Sequence, residues 1–239
     1  MSSKDTKQYD QDAMSFVGEK LGFEGKEAYN LLRTNILYSV RRKERKARVL
    51  GVTSSLHGEG KSLTALNLAY SLAESGRKVL LIECDMRLPT LRRKLDYKKC
   101  PGLSSVLAGM NKNKEVVNSN VIINNLDVIF AGDVPPNPSE LLASHSFSEL
   151  IDSFENEYDY VILDLPPVGE VSDALITSKL TDGMIVVVRQ DYTRNADLAY
   201  TMRQLEYVEA KVIGFVYNDA SKKQHSYKYK YGKGYGYRK

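Results

Sequence analysis

Gly51-Val52-Thr53-Ser54-Ser55-Leu56-His57-Gly58-Glu59-Gly60-Lys61-Ser62 is the stretch whose reading decides the fold. Residues 49–52 form an apolar run suited to a buried strand, and beyond Ser62 the residues Leu66, Ala69, Tyr70 and Ala73 recur at helical spacing. A glycine-bearing turn between strand and helix lets backbone N–H groups surround phosphate oxygens at the positive end of a helix. In that reading Gly58 and Gly60 permit close approach, Lys61 reaches the β- and γ-phosphates, and Ser62 ligates Mg²⁺. Ser55 stands where the pattern G-x-x-x-x-G-K-[ST] begins with glycine. A Gly-Lys-Ser turn that merely starts a helix is the plainer alternative.

Working outward, residues 78–85 read as a strand ending in Glu83 and Asp85, and residues 126–131 as another. Residues 160–164 make a strand that ends in Asp164 and is stopped by Pro166 and Pro167, with further strands at 184–188 and 211–218. Helical patterns fill residues 102–110, 147–154, 173–180 and 196–208. This alternation predicts an α/β fold, a mostly parallel sheet with helices on both faces, whose ligands sit at the carboxyl ends of the strands. Ahead of the loop a helix is expected from Glu27, with Ala28, Leu32, Ile36 and Val40 as its apolar stripe. The basic run at residues 41–46 follows, as a solvated helix end or as an attractor for an anionic surface. After the cluster Pro135-Pro136-Asn137-Pro138, Ser139 reads as the N-cap of a helix at Glu140-Leu141-Leu142.

The 239 residues, 42% hydrophobic and 27% charged, suit one large domain with a sizeable core. We divide them into a polar N-terminal arm (1–26), a folded body (27–220) and a tail (221–239). The net charge of +4 is uneven: the tail carries seven Lys and Arg and no acid, so the body is net negative. No apolar run approaches the ~20 residues of a membrane span, and the N-terminus lacks the pattern of a signal peptide. Cys84 and Cys100 make no disulfide framework and fit a reducing cytosol.

Lys61, Ser62, Glu83, Asp85 and Asp164 thus come from three strand ends at one edge of the sheet. Asp164, at the end of an apolar strand, fits an acid that holds Mg²⁺ directly or through water. Glu83 and Asp85 are two apart and so share a face, with Cys84 turned into the core. Acids crowded beside phosphate are costly without a cation; one would help hold the metal and the other accept a proton from an attacking hydroxyl. In the tail Tyr227, Tyr229, Tyr231, Tyr235 and Tyr237 alternate with Lys and Gly. Such a segment cannot build a core. It suits either a phosphate acceptor or stacking on single-stranded nucleic acid.

Taken together, these motifs resemble the bacterial tyrosine kinases of capsule and exopolysaccharide synthesis, the CpsD/CapB type, over nearly everything from Glu27 onward. The segments that carry the resemblance are the loop ending Gly58-Glu59-Gly60-Lys61-Ser62, Asp85-Met86-Arg87-Leu88-Pro89, Pro135 through Leu142, Ile162-Leu163-Asp164-Leu165-Pro166-Pro167, and the tyrosine cluster. The resemblance implies a P-loop NTPase architecture of the MinD/ParA-like kind, with ATP and Mg²⁺ as cofactors. It implies nucleotide contacts from Gly58, Glu59, Gly60, Lys61, Ser62 and Leu63, with Asn218 matching an adenine-contacting position. Ser62, Asp85 and Asp164 are the implied metal ligands, and Lys61, Glu83, Asp85 and Asp164 the catalytic set. The tail tyrosines are the implied phosphoacceptors, modified largely in trans within a ring of subunits. Implied partners are the cytoplasmic segment of a membrane protein, which activates the kinase at the inner face of the membrane, and a tyrosine phosphatase. No specific nucleic acid is expected.

Three positions depart from the family pattern. Glu83 stands where Asp is usual, and His57 where Pro is usual. The oligomerisation motif E-x-x-R-x-x-R appears as Glu27, Asn30 and Arg33. A MinD/ParA-like ATPase that positions cargo is the main alternative, although Leu56 stands where those proteins carry a signature lysine. An ATP-gated nucleic-acid-binding protein is the other.

Overall fold

The structure, a computed structural model, describes residues 17–39 and 47–220. Its centre is a six-stranded sheet in which every ladder is parallel, built from β1 (Arg48–Ser54), β2 (Val79–Glu83), β3 (Leu126–Ile129), β4 (Tyr160–Asp164), β5 (Gly183–Arg189) and β6 (Val212–Asn218). The strand order is β3-β2-β4-β1-β5-β6. Strands β2, β3 and β4 are buried along their whole length and β1 from Val49 onward, as their near-continuous Val, Ile and Leu runs require once both faces are covered. Because β1 lies between β4 and β5, the loop after it opens at the middle of the carboxyl edge. Register then sets the acids: Val52 pairs with Asp164, and Glu83 with the same Asp164 from the other side.

Two apolar layers flank the sheet. On one face α1 (Phe23–Ser39) and α2 (Lys61–Glu74) pack through Ile36, Leu66, Leu68 and Leu72 against Leu50, Val52, Leu81 and Ile162. On the other, α4 (Leu103–Leu107), which follows the one-turn α3 (Leu91–Lys94), joins α6 (His145–Phe154), α7 (Asp173–Thr177) and α8 (Asn195–Tyr207). These helices bury Val106, Phe147, Phe154, Ala174 and Leu205 on Leu80, Ile82, Leu163 and Val186. Cys84 lies in this second layer, on the face opposite Glu83.

Several local readings change. Helix α1 begins at Phe23 rather than Glu27, and Val17 and Gly18 just ahead of it are buried, where Gly18 N–H donates to Asn67 Oδ1 (3.0 Å). Phe23 is exposed, so the first turn carries no apolar signal to mark it. Ala28 also faces solvent; the inward stripe runs through Tyr29, Leu32 and Ile36. The helix α5 (Pro138–Ala143) has Asn137 at its N-cap and Pro138 in its first turn, so Ser139 lies inside the helix and its hydroxyl is used elsewhere. Strand β2 ends at Glu83, which leaves Asp85 in the loop beyond. Val40, the basic run at 41–46, the first 16 residues and the tail with its five tyrosines lie outside the described residues.

Candidate functional site

The loop between β1 and α2 is a shaped cradle. Gly58 and Gly60 adopt φ of +84° and +94°, the left-handed region that a side chain would strain. A Cβ on Gly60 would stand 2.1 Å from Asn218 Nδ2. Glu59 is fully buried, and its carboxylate turns inward: Oε2 accepts the N–H groups of Ser55 (2.7 Å) and Leu56 (2.9 Å), and Oε1 accepts the hydroxyl of Thr193. From β6, Asn218 Nδ2 donates to the Glu59 carbonyl (2.9 Å). Arg189 Nη1 donates to the Gly58 carbonyl (3.1 Å), and Tyr192 Oη to the His57 carbonyl (3.0 Å). These contacts tie the carbonyls of His57, Gly58 and Glu59 to side chains at and beyond the ends of β5 and β6.

Lys61 and Ser62 open α2 and are both buried. Lys61 Nζ lies 2.8 Å from Asp85 Oδ2, 3.3 Å from Ser62 Oγ and 3.7 Å from Asp164 Oδ1. Burial alone would draw the ammonium down, but Asp164 and then Asp85 hold it above its ordinary value. Asp164 is fully buried, and neither carboxylate oxygen has a hydrogen-bond partner among the described residues. Burial pushes it above the usual carboxylate range, with Lys61 opposing. A buried carboxylate without a hydrogen bond, sharing Lys61 with a second acid, is costly unless a further cation completes it. No group of three or more His, Cys, Asp or Glu side chains among the described residues is placed to hold a metal by itself. That fits magnesium, which takes one or two carboxylates and fills its octahedron with phosphate and water. Ser62, Asp164 and Asp85 are the residues that would hold it.

The pair Glu83 and Asp85 does not converge on one ligand. Glu83 Oε1 accepts the N–H groups of Thr90 and Leu91 (both 2.6 Å), and Oε2 that of Ala131 (3.1 Å). Its carboxylate ties the start of α3 and the end of β3 to β2, which leaves Asp85 as the acid of the pair that contacts Lys61. Burial holds Glu83 above its ordinary value, with the Leu91 and Ala131 N–H groups opposing. Asp85 keeps one oxygen on Lys61 and the other on the Leu88 N–H (3.1 Å). Leu63, expected at the nucleotide, is half-buried against the α1–α2 apolar layer. Sequence reading missed the side chains brought in from afar: Arg189, Tyr192 and Thr193 on the loop, and the Arg87 network described below. It also missed Lys94, whose ammonium reaches Thr90 Oγ1 (3.1 Å) and is drawn down by burial, with the charge of Asp164 opposing. Gly102 and Ser105 at the start of α4, with residues of the Pro135–Pro136 loop, line a cavity of about 720 Å³.

Comparison with known proteins agrees with this geometry. A family model described as AAA domain matches residues 47–213. The tyrosine-protein kinase YwqD of Bacillus subtilis is 36% identical over 200 residues, 84% of this chain and 83% of YwqD. The putative tyrosine-protein kinase CapB of Staphylococcus aureus is 32% identical over 80% of this chain and 83% of its own length. Among solved structures, the chimerical protein CapA2B2 superposes with a TM-score of 0.77 at 30% identity, covering 86% of this chain and 89% of the other. The septum site-determining protein MinD of Pyrococcus horikoshii, complexed with Mg-ADP, gives 0.60 at 24% identity over 71% and 69%, a likeness of fold.

Proposed function

This chain belongs to the bacterial tyrosine-protein kinases of the CpsD, CapB and YwqD type, and we propose that it transfers the γ-phosphoryl group of ATP to its own C-terminal tyrosines. The observation that carries the proposal is the placement of Lys61 between Asp85 and Asp164, with the Asp164 oxygens buried and without a hydrogen bond among the described residues. Tyr227, Tyr229, Tyr231, Tyr235 and Tyr237 are the acceptors, presented in trans by a neighbouring subunit. The service is to capsule or exopolysaccharide synthesis or export, at the inner face of the membrane.

The geometry supports a role for each residue. Backbone N–H groups of the Gly58–Ser62 turn and the N-terminus of α2 face the phosphates, and Asn218 and the Arg189–Thr193 segment keep that loop in shape. Lys61 leaves Asp85 for the β- and γ-phosphates and stabilises charge that spreads over the transferred group. Ser62, Asp85 and Asp164 would hold magnesium, which would neutralise charge on the β- and γ-phosphate oxygens. Asp85, released from its ion pair, receives the phenolic proton. Glu83 acts by holding Thr90 and Ala131 in place.

Partners are proposed on the same footing. A membrane protein's cytoplasmic segment activates the chain, as the fusion of CapA2 to CapB2 in a solved relative encourages, and a phosphatase resets the tail. Self-association is the third. Here Arg33 turns inward, its Nη1 donating to the Ser71 carbonyl (2.7 Å) and hydroxyl (3.0 Å), while Asn30 Nδ2 donates to Glu27 (3.1 Å). Incubation with ATP and Mg²⁺ followed by mass spectrometry tests the proposal. Phosphate on the tail tyrosines of the wild type and none on Lys61→Met is expected; an unmodified wild-type tail, with the activating segment supplied, refutes it.

A further inference from the structure

Residues from the segments that follow β2, β3 and β4 meet at one guanidinium. Arg87 Nε donates to Asp173 Oδ2 (2.9 Å), and its Nη2 donates to Asp173 Oδ1 (3.2 Å) and to Ser139 Oγ (2.7 Å). The Ser139 hydroxyl in turn donates to Asp173 Oδ1 (2.6 Å), which closes a three-residue ring. Asp173 is fully buried, whereas the Arg87 side chain is 39% exposed. Two of the three guanidinium nitrogens are therefore committed, and Nη1 makes no hydrogen bond among the described residues. A carboxylate buried this deeply is tolerable only when paired and hydrogen-bonded, so the ring is a built feature rather than a surface contact.

The ring stands beside the phosphate site. Arg87 is two residues past Asp85, and the Leu88 N–H bond to Asp85 Oδ1 folds the segment back on itself (3.1 Å). The negative charge of Asp85 acts on the guanidinium as well as on Lys61. The P-loop follows β1, whereas Arg87 and Asp173 follow β2 and β4, on one side of β1 in the sheet order. A planar fork with one free edge is suited to phosphoryl oxygens, and a preset orientation spares the entropy of ordering it during the reaction.

We propose that Ser139 and Asp173 are positioning residues that hold Arg87 as the cation on the acceptor side of the transferring phosphoryl group. The inference rests on the phosphotransferase reading and adds residues to it. In the step, the phenolic oxygen forms a bond to the γ-phosphorus while the bond from that phosphorus to the β,γ-bridging oxygen breaks. ADP leaves with the electron pair, and the phenolic proton passes to Asp85. Negative charge on the equatorial oxygens meets Lys61 from one side and the free edge of Arg87 from the other.

The experiment compares full-length wild type with Arg87→Lys, Ser139→Ala and Asp173→Asn in two assays, phosphotyrosine formation with its kcat and KM for ATP, and binding of a fluorescent ADP. Because ADP lacks the γ-phosphate, its affinity should stay within about twofold of wild type in all three variants. Arg87→Lys keeps the charge and loses the fork, and should lower kcat about 100-fold, in the range seen when one preorganised donor is removed. Asp173→Asn should lower kcat about 10-fold and Ser139→Ala about 3-fold, with KM little changed. Ser139→Ala removes one hydroxyl from a short helix and keeps the test open should Asp173→Asn fail to fold. Unchanged kcat in Arg87→Lys and Ser139→Ala, or loss of ADP affinity in step with kcat, overturns the inference while wild type still transfers phosphate. A wild type that transfers none overturns the phosphotransferase reading beneath it.

Discussion

Glu83→Gln separates a supporting carboxylate from a catalytic one. The Glu83 carboxylate accepts three backbone N–H groups and is 1% exposed. A glutamine can keep its oxygen on Thr90 and Leu91, but its amide then points N–H groups at the N–H of Ala131. That buried donor loses its acceptor, at a cost of about 1–3 kcal/mol, and the two remaining bonds lose their charge assistance, about 1 kcal/mol each. Relief of the buried charge returns part of this, since burial already holds Glu83 above its ordinary value. The net expectation is a loss of about 2 kcal/mol, read as a lowered urea midpoint at unchanged slope. Phosphotyrosine formation at low temperature, where the variant is folded, should fall no more than about 10-fold, from misplacement of Thr90 and Ala131. Glu83→Asp, one methylene shorter, cannot span from Leu91 to Ala131 and should be destabilised to a similar degree. Wild-type stability with activity abolished in Glu83→Gln would refute this reasoning and make Glu83 the proton acceptor.

Asp164→Asn should abolish phosphoryl transfer yet stabilise the nucleotide-free protein at neutral pH, because the cost of burying the carboxylate outweighs the opposing charge of Lys61; thermal melts without nucleotide check it. Glu83 and Asp164 both stand above their ordinary values of 4.5 and 3.8, so the native chain holds more protons than the unfolded one in that range. Their contribution to stability is therefore complete below those values and is lost as pH rises through the folded ones, and Asp164→Asn should flatten the loss in urea titrations at several pH values. Gly60→Ala should raise KM for ATP strongly, since φ is +94° and the new Cβ meets Asn218 Nδ2; Michaelis kinetics decide. Five phosphotyrosines would add roughly −7.5 to −10 charges to a tail with seven cations. The unphosphorylated protein should then be the more associated form at low salt, the difference shrinking at high salt. Light scattering on the two forms reads it.

The sheet and the phosphate loop were legible because each rests on local pattern: apolar runs short enough for strands, and glycines where φ is positive. Asp164 was legible for the same reason, as the last residue of an apolar strand. What escaped depends on residues far apart in the chain. The Glu59 carboxylate looks from the sequence like a group facing the nucleotide, and only the Thr193 hydroxyl, 134 residues on, shows that it braces the loop from inside. The Arg87–Asp173 pair spans 86 residues, and Ser139 reads as an N-cap until its hydroxyl is seen between them. Glu83 and Asp85 have the right parity to share a face, but β2 stops at Glu83, and the turn that follows sends the two carboxylates to different partners. The start of α1 was hidden because Phe23 in its first turn faces solvent, as does Ala28, which was expected to mark the inward stripe.

The central claim, phosphoryl transfer at the Lys61 site to a neighbour's tail, is tested most directly by mixing two inactive halves. Lys61→Met supplies an intact tail without a working site; a chain lacking residues 221–239 supplies a working site without acceptors. Incubated together with ATP, Mg²⁺ and the activating segment, they should yield phosphate on Tyr227, Tyr229, Tyr231, Tyr235 or Tyr237 of the Lys61→Met chain, and neither alone should yield any. A Lys61→Met tail that stays unmodified in the mixture, while wild type under the same conditions is phosphorylated, would contradict transfer in trans; a tail modified in Lys61→Met alone would contradict the site.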